Sequence, residues 1–232
     1  MATVTFKRPD GKECSGYLAE PAAGKNAPGL VVIQEWWGVN DHIKSVADNY
    51  AKHGFRALVP DLYRGKVGLD AKEAEHLMGG LNFGDAAGQD VRGAVQYLKQ
   101  SSKKVGVTGY CMGGALTILA ACFVPEVDAA VAWYGFPPLE YVNAAAIKAP
   151  LMGHFAIHDG FFKIEQVDEL EKKLKAAGVK YTFHRYDAGH AFASDDPIIA
   201  TVGLKKDETC AQTAWKRTLE FLDQQLGVPQ HA

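Results

Sequence analysis

One stretch constrains this chain more than any other: Lys104-Val-Gly-Val-Thr-Gly-Tyr-Cys-Met-Gly-Gly-Ala115, a β-branched run that stops dead in glycines. Val105, Val107 and Thr108 favour a strand, and the small apolar residues from Ala115 to Phe123 favour a buried helix. The chain must therefore turn from strand to helix within Gly109-Tyr-Cys-Met-Gly113. A turn of the form G-x-Nu-x-G holds a nucleophile at its apex. It needs glycine two residues to either side, where a Cβ would collide. Cys111 stands at that apex. It also stands at a helix N-terminus, where the partial positive charge favours a thiolate. The competing reading is a glycine-rich turn around a buried structural cysteine, since free cysteine is among the most buried residue types.

The flanking chain alternates strands with helices. Thr3 to Phe6 and Ser15 to Ala19 flank Asp10-Gly11, a hairpin signal. Leu30 to Gln34 is a continuous apolar run, as expected of a strand covered on both faces. Asp41 to His53 reads as a helix capped by Asn40 or Asp41 and ended by Gly54. Arg56 to Pro60 reads as a strand and Asp85 to Lys99 as a helix. Beyond the turn come strands at Ala129 to Trp133, Ala149 to Ile157 and Tyr181 to Tyr186, with helices at Ile164 to Ala177 and Asp207 to Leu226. This order predicts an α/β fold, a mostly parallel sheet with helices on both faces. A single domain over 1–232 is expected, with a lid-like segment near 61–84 built of loops around one short helix.

Composition removes several function classes. A net charge of -2 over 232 residues offers no electrostatic case for nucleic acid or an anionic membrane. The N-terminal residues lack the apolar run of a signal peptide, and no apolar stretch is long enough to span a bilayer. Cys14, Cys111, Cys122 and Cys210 are scattered without metal spacing, which suits a reducing cytoplasm and predicts neither metal nor cofactor. The expected partner is a small molecule, and the expected state a monomer or small homo-oligomer.

A thiol nucleophile needs a base, and the base an orienting group. In a doubly wound sheet such residues collect past the carboxyl ends of the strands. His158-Asp159 follows one such strand and Asp187-Ala-Gly-His190 another. The order nucleophile, acid, histidine then reads Cys111, Asp159, His190, the order of the α/β-hydrolase fold. Asp159 could instead cap the helix that follows, and Asp187 and His158 are the rival acid and base. The oxyanion would be held by the N–H groups of Met112 and of a residue in Glu35-Trp36-Trp37, with Trp36 the first choice. A buried Glu35 would be costly unless paired.

Four blocks together resemble the dienelactone hydrolase family: Gly109-Tyr-Cys-Met-Gly-Gly114, Gln34-Glu-Trp-Trp-Gly-Val-Asn40, Val59-Pro-Asp-Leu-Tyr63 and Gly189-His-Ala-Phe192. The resemblance implies a Cys111–His190–Asp159 triad that cleaves a lactone or ester, with Glu35 against Cys111 and helping to activate the thiol when substrate binds. Family members acting on carboxylate-bearing dienelactones hold that carboxylate with arginines, one of them four residues beyond the catalytic histidine. Here that position is Ser194, followed by Asp195 and Asp196, and Gly65 to Gly80 contains no arginine. Arg64, Arg185 and Lys66 are the cations left to replace it. Trp37, Tyr63, Tyr134 and Ser194 are the expected substrate contacts. The expected function is a cysteine-dependent, cofactor-free ester or lactone hydrolase. The alternatives are a catalytically silent binding module on the same fold and a redox-sensing thiol.

Overall fold

The computed structural model describes residues 2–227; Met1 and 228–232, the ends of the expected 1–232 domain, lie outside the described residues. β1 (Ala2–Lys7) and β2 (Glu13–Ala19) form the expected hairpin. Then follow β3 (Gly29–Ile33), α1 (Asp41–Lys52), β4 (Arg56–Pro60), α2 (Ala71–Gly79), α3 (Phe83–Asp85) and α4 (Arg92–Lys99). β5 (Val105–Tyr110), α5 (Met112–Phe123), β6 (Ala129–Trp133), β7 (Leu151–Ala156), α6 (Ile164–Ala176), β8 (Tyr181–Tyr186) and α7 (Glu208–Leu226) complete the described chain. The eight strands lie in one sheet, in the order β1-β2-β4-β3-β5-β6-β7-β8. β1 and β2 are antiparallel, β2 runs antiparallel to β4, and every later pairing is parallel.

Two apolar layers cover the sheet. α4, α5 and α6 pack on one face through residues such as Val95, Leu116 and Leu170. α1 and α7 pack on the other through Ile43, Ala47, Ala214 and Leu222. All five residues of β3 are buried, which is why its sequence is continuously apolar rather than alternating. Asn40 caps α1 by accepting the N–H of Ile43 at 3.1 Å, and Asp207 caps α7 through Cys210 N–H at 3.0 Å.

The helix expected from Asp85 starts two residues earlier and contains a π-helical segment, Ala86–Val91, ahead of α4. In that segment Asp90 is buried and binds both Arg8 (3.1 Å) and Arg64 (2.9 Å), tying the hairpin and the start of the lid segment to this helix. A wider helical turn commonly accommodates such a functional or structural side chain. β7 starts two residues later than expected, at Leu151, because Pro150 has no N–H to give the ladder.

Candidate active site

The parallel strands all deliver their carboxyl ends to one edge of the sheet, and the expected residues follow there in turn. Cys111 adopts φ +59° and ψ −117°, a conformation that costs a side-chain-bearing residue of order 1–3 kcal/mol. The surrounding packing enforces it. Cys111 N–H donates to Trp133 O at 2.9 Å, while Cys111 O accepts from Gly114 and Ala115 at 2.9 and 3.2 Å. A Cβ on Gly109 would lie 2.1 Å from Gly113 O, and one on Gly113 2.5 Å from Ile33 O. The predicted glycine requirement is therefore literal. Gly135, just past β6, is a third such position: its Cβ would lie 1.9 Å from Cys111 O. The Trp-Tyr-Gly ending of that strand was the available signal.

His190 is buried, with Nε2 3.1 Å from Cys111 Sγ and Nδ1 2.7 Å from Asp159 Oδ2. The other Asp159 oxygen accepts the N–H groups of Phe161 and Phe162, each at 2.8 Å. Asp159 does not cap α6, which begins only at Ile164; it shapes the loop before that helix and holds His190 as well. With the carboxylate taking two backbone donors, Nδ1 of His190 must be the donor to Asp159, and Nε2 faces the sulfur. Burial disfavours the imidazolium, but Cys111 and Asp159 on either side outweigh it and raise the His190 pKa to about 10. The rivals sit elsewhere. His158 and Asp187 pair with each other at 2.7 Å, with side chains 65% and 89% exposed.

Glu35 follows β3 and is 5% exposed. Burial lifts its pKa to about 7; the charge of His190 opposes the rise and Asp196 adds to it. Its carboxylate faces His42 Nε2 at 3.8 Å, and His42 Nε2 also lies 3.5 Å from Ser194 Oγ. The sulfur of Cys111 is hydrogen-bonded to His190, not to Glu35. His42, on the first turn of α1, is a site neighbour that the sequence did not indicate, because nothing in the helical stripe of Ile43, Val46 and Ala47 distinguishes it. Burial lowers its pKa, against the pull of Asp196 and Asp195.

A cavity of about 460 Å³ opens over Cys111 and His190. Glu35, Trp36, Trp37 and Met112 line its base, Met78 and Phe83 reach it from the lid segment, and Phe161 and Phe162 border it past β7. Met112 N–H, at the first turn of α5, belongs to the donors that a helix leaves unpaired at its start. Three expected substrate contacts do not line this cavity. The Tyr63 hydroxyl lies under its base, 3.5 Å from Met112 Sδ. Tyr134 is buried with its ring edge-on to His190 at 5.3 Å. Ser194 is held by the loop it belongs to, its Oγ accepting Asp196 N–H at 3.2 Å. Of the substitute cations, Arg64 binds Asp90 and Arg185 binds Asp168 and Glu171, while Lys66 is exposed and does not line the cavity. No lysine or arginine lines the cavity. Among the described residues no group of three or more His, Cys, Asp or Glu could hold a metal ion, and no helix is long and apolar enough to cross a membrane.

Comparison with known proteins fits this geometry. The model of the dienelactone hydrolase family matches residues 14–226. Protein usf of Aquifex pyrophilus is 34% identical, over 96% of this chain and 98% of its own. A Methylorubrum extorquens protein named "Putative carboxymethylenebutenolidase" is 35% identical, over 91% of this chain and 77% of its own. Among solved structures, a dienelactone hydrolase-like promiscuous phosphotriesterase from metagenomic libraries superposes with a TM-score of 0.79. It covers 97% of this chain and 98% of its own at 23% identity, a likeness of fold.

The raised pKa of Glu35 has a consequence for stability. A carboxyl whose folded pKa lies above its unfolded value binds more protons when folded, so stability falls as pH rises from the unfolded toward the folded pKa. Between the ordinary 4.5 and about 7, ionising Glu35 costs on the order of 3 kcal/mol at most. Glu35→Gln should therefore gain stability over wild type progressively from about pH 4.5, with the difference levelling off above about pH 7. Thermal melts of both proteins across that range check this; an offset independent of pH would contradict it.

Proposed function

The chain belongs to the dienelactone hydrolase family of carboxylic ester hydrolases, and from that premise we propose a cysteine hydrolase of neutral lactones or esters working through an acyl-enzyme. The observation that carries this reading is His190, bonded to Cys111 on one side and Asp159 on the other at the base of an apolar cavity. Asp159 orients the imidazole and supports its positive charge, so that His190 takes the thiol proton and leaves Cys111 as the attacking thiolate. The thiolate attacks the ester carbonyl carbon, forming a C–S bond while the carbonyl electrons move to oxygen. Met112 and Trp36 N–H groups receive that oxyanion. Collapse of the intermediate breaks the C–O bond, and the His190 proton goes to the departing alkoxide. Water, deprotonated by His190, then attacks the thioester, and its collapse releases the carboxylic acid and restores the thiolate.

Glu35 enters as a charge regulator of this pair. Its ionised form, across the cavity base, favours the imidazolium of His190, and its neutral form relaxes that support. The resemblance placed Glu35 against the thiol itself; in the resting arrangement its carboxylate faces His42 instead.

The assignment of the acid is tested by substitution. Asp159→Asn should lower kcat/KM by roughly 10²–10⁴, because the tautomer and the cation of His190 both lose support. Asp187→Asn, far out on the surface with His158, should leave most activity. Steady-state kinetics on a chromogenic ester decide between them, and a reversal of the two effects would refute the triad as drawn.

Substrate charge follows from the cavity. An anion bound there would be desolvated near Glu35 with no lysine or arginine to pair with, both ring nitrogens of His190 being engaged by Asp159 and Cys111, at a cost worth roughly 10²-fold in affinity. A carboxylate-bearing dienelactone should therefore show lower kcat/KM than its methyl ester. Equal or better use of the carboxylate would mean that a cation reaches the substrate from elsewhere.

A further inference from the structure

We propose that the wall formed by Phe161 and Phe162 is a subsite for the alcohol half of the substrate, selecting esters whose departing group carries an aromatic ring. The proposal rests on the hydrolase reading above and deepens it.

The direction of the ester in the cavity is set by its proton donor. The departing oxygen must come within hydrogen-bond reach of His190 Nε2, the atom that faces Cys111 Sγ at 3.1 Å. Whatever substituent that oxygen carries therefore lies beside the rings that surround His190. Phe162 stacks on the imidazole, with centroids 5.5 Å apart and planes 24° apart, and Phe161 lies tilted at 5.1 Å. Phe136 meets Phe162 edge-on at 5.3 Å and extends the aromatic surface. The acyl half has the oxyanion donors Met112 and Trp36 as its anchor and takes the space left on their side.

Two further observations point to a ligand on this wall. Phe161 is 62% exposed in spite of its size and borders the cavity, so its face is available to a ring that enters. The wall is also pre-organised. Asp159 Oδ1 accepts the backbone N–H of both phenylalanines at 2.8 Å while Oδ2 holds His190, so one carboxylate ties the base to the backbone that carries the two rings. An aromatic ring held against such a surface gains offset or edge-to-face contact in addition to its buried area. The cavity volume of about 460 Å³ leaves room for a ring beyond a small lactone.

The test uses two isomeric neutral esters that differ only in the side on which the ring sits: benzyl acetate and methyl phenylacetate. Their alcohols are of nearly equal acidity, so leaving-group chemistry does not separate them. Wild type should use benzyl acetate with kcat/KM about 10-fold or more above methyl phenylacetate. Phe161→Ala, which removes a mostly exposed ring, and Phe162→Leu, which keeps apolar volume, should each lower that ratio several-fold. A wild-type ratio near or below unity overturns the subsite while leaving the hydrolase reading standing. A preference that survives both substitutions overturns the assignment to these two rings. Hydrolysis of neither ester, with no acylation of Cys111, overturns the hydrolase reading and the subsite together.

Discussion

The carbonyl of Cys111 is wedged against a backbone that has no Cβ to yield. Gly135 approaches it from β6, and Gly109 and Gly113 close on each other beneath it. This contact allows the sheet and α5 to hold a side-chain-bearing residue at positive φ. The strain stored at Cys111 is small beside the collisions that any substituted glycine would introduce. With the peptide fixed, the thiol projects at the carboxyl edge of the sheet, and β7 and β8 need only end in loops that turn toward it.

Charge balance around the thiol depends on that placement. His190 lies between Cys111 and Asp159, whose pull outweighs its burial, so its proton is held well beyond the usual histidine range. Glu35 supplies a third negative charge only when it ionises, against burial, near neutral pH. Among the described residues no lysine or arginine lines the cavity above, and Arg64 and Arg185 are committed to Asp90, Asp168 and Glu171.

Much of this was legible in the sequence because it is enforced locally. The turn at Gly109–Gly113, the apolar run of β3 and the caps of α1 and α7 each have a short-range cause. The positions of Asp159 and His190 followed from strand ends, a rule of topology rather than of neighbouring residues. Features set by contacts distant in sequence were not legible. Gly135 matters only because β6 lies beside β5, and His42 meets Ser194 from a loop 152 residues later. The Ala86–Val91 π segment answers to Arg8, about eighty residues earlier in the chain. Ser194, Tyr63 and Tyr134, expected as substrate contacts, do not line the cavity, and each side chain is engaged by the supporting structure. Proximity along the chain does not say which way a residue points.

The claim on which the account turns is that Cys111 becomes covalently acylated during turnover. Rapid acid quench of the enzyme with a slowly deacylating neutral ester, followed by peptide mapping by mass spectrometry, measures this directly. The account predicts an added acyl mass on the peptide carrying Cys111, absent in Cys111→Ala, with Cys14, Cys122 and Cys210 unmodified. Turnover with no acyl group on Cys111, or an acyl group on any other residue that forms and decays at the catalytic rate, would contradict it.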